Sequence, residues 1–364
     1  MMSGYIDNAR KNGMGKLPAF FATRAITSGI ITKKKVMREV NAAIDLFVPE
    51  QDRKDKKKLR KIQNEVLYNR FVYMIFPDEY FLYHFSEISE SEKREFIGEF
   101  ERRQICDAVS DEEIKQFFKN KYKAYQAFKQ YYRREVIQVE TKDDHDTFLA
   151  FWNAHDRMIV KPINMYKGIG VHIIKKEGQD PEKVFEEILE GGTAVLEECI
   201  VQSESLGSFH PESVNTVRMA VWHEGDKVTP LFSVFRMGRG SSVVDNGGAG
   251  GCFATVDVKT GELITPAVSE DGGRFSTHPN SGKQIVGFVI PRWQELLDMV
   301  QEISRIIDQP YISWDLALTD AGWVIVEGNS TGQFLNQMSN VKGCRSLMEP
   351  YFKRAISKRK QNNK

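Results

Sequence analysis

Three oxygen-bearing side chains near the C-terminal end have the types and spacing of ligands for a hard cation. Asp315 lies in one apolar run, and Glu327 and Asn329 lie two residues apart in the next run. Residues two apart on a strand face the same side, and a turn at 320–322 would fold the two runs into a hairpin. Carboxylate and amide oxygens suit Mg²⁺ that bridges nucleotide phosphates. The alternative is a solvent-exposed polar face, but a strand as apolar as 323–326 favours burial, and buried polar groups need partners.

A lysine followed by a glycine-containing loop forms a second candidate site. Lys161 ends the strand-like run 157–162, and Gly168 and Gly170 interrupt the chain before the next strand. Backbone N–H groups of such a loop can close over phosphates while the lysine supplies a point charge. The pattern is not a Walker A loop, because no Gly-Lys-Ser/Thr opens a helix. An ordinary hairpin turn is the alternative.

A third segment, 195–204, has the character of an adenine site. The strand-like run ends in two acids, Glu197 and Glu198, followed by Cys199 and Ile200. An adenine ring needs a backbone donor and acceptor at its edge and apolar surfaces on its faces. Glu204 is placed to take the ribose hydroxyls.

Two further segments leave their roles open. Arg218 lies between apolar residues of a predicted strand, so it is either paired structurally or reserved for an anion. The glycine-rich segment 245–251, which contains Asn246, cannot hold regular structure and lets the backbone approach a ligand closely. It predicts a mobile catalytic loop or an anion-binding nest, with a flexible hairpin loop as the alternative.

The elements that must position these residues are of two kinds. Residues 1–118 are mainly helical in pattern, with helix starts predicted at Ser89 and at Ser110, where Glu113 completes a capping box. The rest is a mixed α+β region with hairpins, which disfavours a doubly wound dinucleotide-binding sheet. The predicted strands are 157–162, 171–174, 194–198, 216–222, 231–237, 251–258 and 323–327, and the predicted helices include 33–47, 181–190 and 293–307.

Composition limits the function classes. The chain has 364 residues, 41% hydrophobic and 28% charged, with a formal net charge of +1, so no bulk field steers it toward nucleic acid. The basic run 53–61 favours a solvated helix face or a linker over a phosphate or membrane-surface patch. Four separated cysteines predict a reducing cytoplasm, and no apolar run approaches the length of a membrane span. The short apolar stretch 17–22 is not a secretory signal.

The order of these motifs resembles the ATP-grasp superfamily. Lys121 in an Asn-Lys-Tyr run comes first, then Lys161, the glycine loop, the acidic strand end, Arg218, and finally Asp315 with Glu-x-Asn. The closer likeness is to the sugar-transfer-associated ATP-grasp group, sometimes linked with polysaccharide biosynthesis, and it covers about residues 75–345. The segments that carry it are SVNTVR (213–218), DNGGAGG (245–251), VDVKTG (256–261), HPNSG (278–282), IPRW (290–293), and Trp314-Asp315 with Glu327-Gly-Asn329.

The resemblance implies a fold and a set of roles. The fold is an α+β ATP-grasp, in which two subdomains clasp ATP, at 119–205 and 206–352, between a helical region (1–118) and a frayed basic tail (353–364). It implies that Lys121 and Lys161 hold the α- and β-phosphates and that Arg218 stabilises the transferring phosphoryl group. The loop Lys167–Gly170 would cover the triphosphate. The remaining implied contacts are Glu197, Glu198 and Ile200 at adenine, Glu204 at ribose, and Asp315, Glu327 and Asn329 at one or two Mg²⁺ ions, with Mn²⁺ as a substitute.

The implied chemistry is an ATP-dependent ligation. A carboxylate attacks the γ-phosphate to give an acyl phosphate, which an amine or a thiol then captures, and a sugar acid or small metabolite is the expected substrate class. A kinase that stops at phosphorylation is the alternative, and a nucleotide-binding module of a polysaccharide assembly complex is a third hypothesis. The complete set of lysines and metal ligands disfavours the third. Two roles are open for the first 75 residues, namely building the acceptor pocket or forming a homo-oligomer contact.

Overall fold

The computed structural model describes residues 32–163 and 170–362, so the stretch 17–22 and the loop residues Lys167 and Gly168 lie outside the described residues. The chain divides into two compact units. The first comprises Met1–Ala108, Val268–Arg274 and Gln333–Lys364, and the second comprises Val109–Ala267 and Phe275–Gly332. The subdomain boundaries expected from the sequence remain predictions.

The described residues in the two long segments of the first unit, 32–108 and 333–362, are mainly helical. Buried aromatic rings form much of its interior, and Phe85 packs edge-on against Phe96 with ring centroids 5.3 Å apart. The buried Gln337 amide donates to the carbonyl of Ile97 and accepts from its N–H, both at 2.9 Å. The helices are α1 (Thr32–Phe47), α2 (Glu50–Lys54), α3 (Lys56–Tyr73), α4 (Pro77–Leu82), α5 (Glu90–Glu95), α6 (Glu99–Val109), α13 (Asn336–Asn340) and α14 (Arg345–Asn362).

Of the two predicted helix starts, one is confirmed and one is wrong. Ser89 caps α5, since its hydroxyl accepts from the N–H of Glu92. The helix predicted to start at Ser110 instead begins at Glu112, and its N-cap residue, Asp111, makes no side-chain capping hydrogen bond. The described part of the tail belongs to α14, which runs to Asn362, and an i,i+4 ion pair joins Lys353 to Glu349 at 2.8 Å; the predicted fraying stays a prediction.

The second unit begins with two helices and a small antiparallel sheet. Asn120 caps the second helix by accepting from the N–H of Lys123, which places Lys121 in its first turn. The sheet has the strand order β1-β4-β2-β3, and its apolar face packs against α9 and α10 through Phe148, Trp152 and Phe185. The elements are α7 (Glu112–Lys119), α8 (Lys121–Tyr132), β1 (Val136–Val139), α9 (His145–Ala154), β2 (Arg157–Pro162), β3 (His172–Lys175), α10 (Pro181–Glu190), β4 (Ala194–Glu198) and α11 (Glu204–Gly207).

A larger antiparallel sheet follows in the same unit, with five long strands in the order β11-β10-β5-β6-β7. Alternate side chains such as Val217, Met219 and Trp314 enter a core shared with α8 and α12, so the intervening residues face the other side. The strands are β5 (Thr216–Glu224), β6 (Lys227–Met237), β7 (Cys252–Val256), β10 (Tyr311–Thr319) and β11 (Gly322–Asn329), with α12 at Trp293–Arg305. Two short strands, β8 (Ala267–Ser269) and β9 (Arg274–Phe275), straddle the boundary between the units.

Within the described parts of the chain, no helix is both long enough and apolar enough to cross a membrane.

Candidate active site

A row of charged side chains crosses three neighbouring strands of the large sheet. Arg218 on β5 pairs in register with Asp315 on β10, and Asp315 pairs with Glu327 on β11. Residues in register point to the same face, and this face is opposite the one that Trp314 buries. The hairpin predicted from the 320–322 turn therefore does place the two carboxylates side by side.

Asp315 is held by two arginines. Its carboxylate accepts bidentate hydrogen bonds from Arg218 at 2.6 and 2.7 Å and a third from Arg236 on β6 at 2.8 Å. Burial opposes ionisation of this carboxyl, but Arg218 and Arg236 hold its pKa below the ordinary value. A carboxylate has about four acceptor positions, so roughly one remains for a cation.

Unlike Asp315, Glu327 and Asn329 have side-chain atoms without partners among the described residues. No hydrogen bond or ion pair from the described residues engages the Glu327 carboxylate, and the buried Nδ2 of Asn329 has no partner there either. Burial raises the pKa of Glu327, and the neighbouring Asp315 raises it further. A flip of the Asn329 amide would offer its oxygen instead.

This donor set fits a divalent cation that also binds phosphate. Among the described residues, no three His, Cys, Asp or Glu side chains converge as an all-protein metal site would require. Mg²⁺ usually takes one or two carboxylates and completes its shell with substrate phosphates and water. The unengaged Glu327, the remaining position on Asp315 and the unpaired Asn329 amide match that pattern.

On the small sheet, the partly buried Lys161 forms an ion pair with the buried Glu197. Lys161 on β2 and Glu197 on β4 share the face opposite α9 and α10, and their charged atoms lie 2.7 Å apart. Arg134, just before β1, donates to the same carboxylate at 2.6 and 3.0 Å. Although burial alone would raise it, Lys161 and Arg134 lower the pKa of Glu197 to about 2. The Glu197 carboxylate thus forms ion pairs with both Lys161 and Arg134. Its predicted contact with adenine stays a prediction.

Lys121 is a second partly buried lysine in the same region. Its Nζ donates to the carbonyl oxygen of Pro162 at 3.0 Å, next to Lys161 in the chain. Burial lowers the pKa of Lys121, and the nearby Glu327 carboxylate opposes that change. Lys121 and Lys161 also stabilise the ionised form of Glu327, so the cations of the small sheet and the carboxylates of the large sheet share one electrostatic field.

The predicted adenine segment is a partly exposed strand end. The N–H of Glu198 still bonds the carbonyl of Glu135 at 3.0 Å, whereas Cys199 and Ile200 beyond it are only partly buried. Val201 is 81% exposed, and the exposed Glu204 opens a one-turn helix. This places apolar and polar groups at an accessible edge, as an adenosine site needs.

The glycine-rich segment is anchored to the charged row. Arg236 bonds Asp245 at 3.0 Å as well as Asp315, and Asp245 also accepts from the N–H and hydroxyl of Thr216. Asn246 accepts from the N–H of Gly248. A Cβ at Gly251 would lie 2.4 Å from the carbonyl oxygen of Asp245. The backbone can therefore pass this close to Asp245 only if residue 251 is glycine.

Sequence reasoning missed Arg134 and Arg236 as members of this cluster. Arg236 lies on an apolar strand, as Arg218 does, so the same criterion would have identified it. Arg134 lies in the link between α8 and β1 and carries no comparable signal. Of the predicted glycine loop, Gly170 is described; it has a φ of 75° and is exposed.

Comparisons with solved structures give low-identity likenesses. D-alanyl-alanine synthetase A from Vibrio cholerae O1 matches with 9% identity and a TM-score of 0.41, over 66% of this chain and 64% of that one. The ATP-grasp ligase PsnB complexed with minimal precursor, Mg and ADP matches with 12% identity and a TM-score of 0.40, over 85% and 75%. An L-amino acid ligase from Bacillus licheniformis matches with 12% identity and a TM-score of 0.40, over 66% and 48%.

The first and third of these proteins are each matched over less than two thirds of their own length. No curated protein matches the chain by sequence. The family model described as sugar-transfer associated ATP-grasp, by contrast, matches residues 92–351, which is most of the chain. The expected α+β ATP-grasp fold with a helical N-terminal region is confirmed, and the protein belongs to the sugar-transfer associated ATP-grasp family.

Proposed function

We propose that this protein is an ATP- and Mg²⁺-dependent ligase that joins a carboxylate to an amine or a thiol through an acyl phosphate. The observation that supports the proposal is the Glu327 carboxylate, which has no hydrogen-bond or ion-pair partner among the described residues and lies in the field of two partly buried lysines, Lys121 and Lys161. Cations for phosphates on one side and unengaged oxygen ligands on the other are what a metal–nucleotide complex requires.

The nucleotide contacts follow from this placement. Lys121 and Lys161 bind the α- and β-phosphates, and Glu197 with Arg134 orients Lys161. The exposed strand end takes the adenosine. The contributing residues are Glu197, Glu198, Cys199, Ile200 and Glu204 at the nucleoside, with Lys167, Gly168, Gly170 and Asn246 around the phosphates.

Asp315, Glu327 and Asn329 hold Mg²⁺, or Mn²⁺ in its place. When bound, the ion neutralises the phosphate charge that develops during transfer.

The transfer itself relies on positioning and charge. The substrate carboxylate attacks the γ-phosphorus, ADP leaves, and the nucleophile then displaces inorganic phosphate from the acyl carbon. Asp315 engages Nε and Nη2 of Arg218, which fixes the guanidinium plane and leaves Nη1 for the transferring phosphoryl group. A sugar acid or another small carboxylate of polysaccharide or natural-product biosynthesis is the proposed substrate class.

A panel of carboxylates and amines, assayed for ADP release with the purified chain, tests the proposal. Hydroxylamine should trap the activated acid as a hydroxamate, which identifies the acyl phosphate directly. Glu327→Gln should abolish both signals, whereas Asp320→Asn, which removes an exposed carboxylate from the turn of the same hairpin, should leave them intact. A stable phosphorylated product formed without any amine or thiol would replace the ligase proposal with a kinase.

A further inference from the structure

Arg134, in the short link between α8 and β1, bonds three other parts of the second unit. Its side chain is 4% exposed, and its Nε and Nη2 donate to the Glu197 carboxylate of β4 at 3.0 and 2.6 Å. Its Nη1 donates to the carbonyl of Tyr132, the last residue of α8, at 3.2 Å and to that of Ile325 on β11 at 2.7 Å. A guanidinium holds its donors in a rigid plane, so it fixes where these three partners lie relative to one another.

Each of the three bonded elements carries or orients a side chain of the candidate nucleotide site. Helix α8 starts at Lys121, and Glu197 bonds Lys161 at 2.7 Å. Ile325 lies two residues before Glu327 on β11. Arg134 therefore connects the two lysines proposed for the phosphates with the strand that carries the proposed metal carboxylate.

Charge balance alone does not account for this arginine. Lys161 already pairs with Glu197, so Arg134 makes the group one carboxylate with two cations. Taking an arginine out of water has a cost that its ion pair often only offsets. What Arg134 adds beyond the pairing by Lys161 is the link to two backbone carbonyls, one of which lies on the large sheet.

The neighbouring Arg133 provides a comparison. It is exposed, and its Nη1 donates at 2.6 Å to the carbonyl of Ala321 in the turn of the β10–β11 hairpin. That hydrogen bond joins the end of α8 to the hairpin but does not involve the small sheet. Of these two arginines, Arg134 is the one that joins the small sheet to the hairpin.

We propose that Arg134 is a positioning residue that sets the distance between the phosphate-binding lysines and the carboxylates that hold Mg²⁺. With this distance fixed, phosphates held by Lys121 and Lys161 present their oxygens to the ion at Glu327. Arg134 thus controls the part of the nucleotide affinity that depends on Mg²⁺. The inference rests on the nucleotide and metal roles proposed above.

Calorimetric titration of the full chain with adenylyl imidodiphosphate, a non-hydrolysable ATP analogue, tests this role in Mg²⁺ and again in EDTA. Mg²⁺ should tighten binding to the parent. Arg134→Lys keeps a positive charge beside Glu197 but loses the planar fork, so this tightening should fall about tenfold or more, because a misplacement of about 1 Å is enough to weaken a positioned contact. The affinity in EDTA should change by less than about threefold, since Lys161 keeps its pairing with Glu197.

Arg133→Lys is the matched control, because it makes the same substitution one residue earlier and also acts on the hairpin. It should leave the tightening by Mg²⁺ unchanged. Thermal unfolding of both variants without nucleotide establishes whether each is folded at the titration temperature. A merely structural role of Arg134 would lower the affinities in Mg²⁺ and in EDTA to the same extent, so the ratio of the two affinities separates the two roles.

The inference is overturned if Arg134→Lys retains the full tightening, if its two affinities fall equally, or if Arg133→Lys loses as much. Should Arg134→Lys fail to fold, Glu197→Asp decides, because its shorter side chain withdraws the carboxylate from Arg134, and the same selective loss is expected. If Mg²⁺ does not tighten binding to the parent itself, the metal role in the proposed function fails, and this inference fails with it.

Discussion

Asp315 and Glu327 are register partners across the β10–β11 hairpin, yet their carboxylates have opposite surroundings. Asp315 accepts three hydrogen bonds from two arginines, whereas Glu327 has none from the described residues. Burial acts on both carboxyls, but only at Asp315 do adjacent cations outweigh it and lower the pKa. Glu327 is therefore, of the two, the carboxylate that depends more on an added cation.

Glu327→Gln should reduce turnover by about 10²-fold or more, because a metal carboxylate supplies several kcal/mol of transition-state stabilisation. The fold should not suffer, since Glu327 has no hydrogen-bond partner to lose among the described residues. Differential scanning calorimetry should find an unchanged or higher unfolding temperature without ligand. The stabilisation that Mg²⁺-ATP gives the parent should be absent. Retained turnover would refute the assignment of Glu327 to the metal.

Lys161→Met should weaken ATP binding by roughly 10- to 100-fold, as expected for the loss of one charge-assisted contact to a phosphate. Arg134 still holds Glu197 in this variant, so the small sheet should remain folded. Lys175→Met, at an exposed position on the neighbouring strand, is the matched control. Equal ATP affinity in the two variants, measured by calorimetry with a non-hydrolysable analogue, would contradict the role of Lys161.

Arg236→Met should lower the free energy of unfolding by about 3–5 kcal/mol, because it leaves Asp245 and part of Asp315 as buried, underpaired charges. Arg236→Lys should recover part of this loss, since lysine keeps the charge but not the two-pronged geometry. A double-mutant cycle with Asp245→Asn, followed by urea denaturation, measures the coupling. Strict additivity would show that the glycine-rich segment and the charged row are independent.

Glu197→Gln should destabilise the protein by about 3 kcal/mol near neutral pH, and the deficit should shrink in acid. The folded pKa of about 2 is below the ordinary value of 4.5, so the ionised carboxylate stabilises the fold fully above about pH 4.5. That stabilisation is lost as the pH falls from about 4.5 toward 2. Urea unfolding of the parent and the variant at several pH values measures the difference. A deficit that does not change with pH would contradict the ion-pair explanation.

Elements with strong local patterns were predictable. The bounds of β2, β4 and α10 agree with the predicted ranges, because apolar alternation, a Pro at the helix start and flanking turns define them locally. The hairpin of Asp315 and Glu327 was predictable for the same reason. The helix start near Ser110 was not, since Asp111 lies next to it and is an equally good cap by type.

The partners of the site residues were not predictable from local patterns. Arg134 and Glu197 are 63 residues apart, and Arg236 and Asp315 are 79 apart. Their pairing depends on strand order, since β5 separates β10 from β6 and only a sheet in that order brings Arg236 within reach of Asp315. The same strand order places Asp315 on β10 beside Arg218 on β5. The sequence alone therefore left open whether Arg218 is paired structurally or reserved for an anion.

The hairpin register depends on one extra residue. On the turn side of Asp315, Leu316 pairs with Ile325, whereas Asp315 itself pairs with Glu327. Val326 is therefore left without a partner on β10 and forms a β-bulge. Without that bulge, the tight turn would place Val326 opposite Asp315 and turn Glu327 to the apolar side. Over evolution, a single-residue insertion or deletion that shifts the register of this hairpin would turn Glu327 away from Asp315 and inactivate the site. A second insertion or deletion that restores the register would preserve the site. The number of residues in the hairpin therefore constrains the chemistry of the site as strongly as their types do.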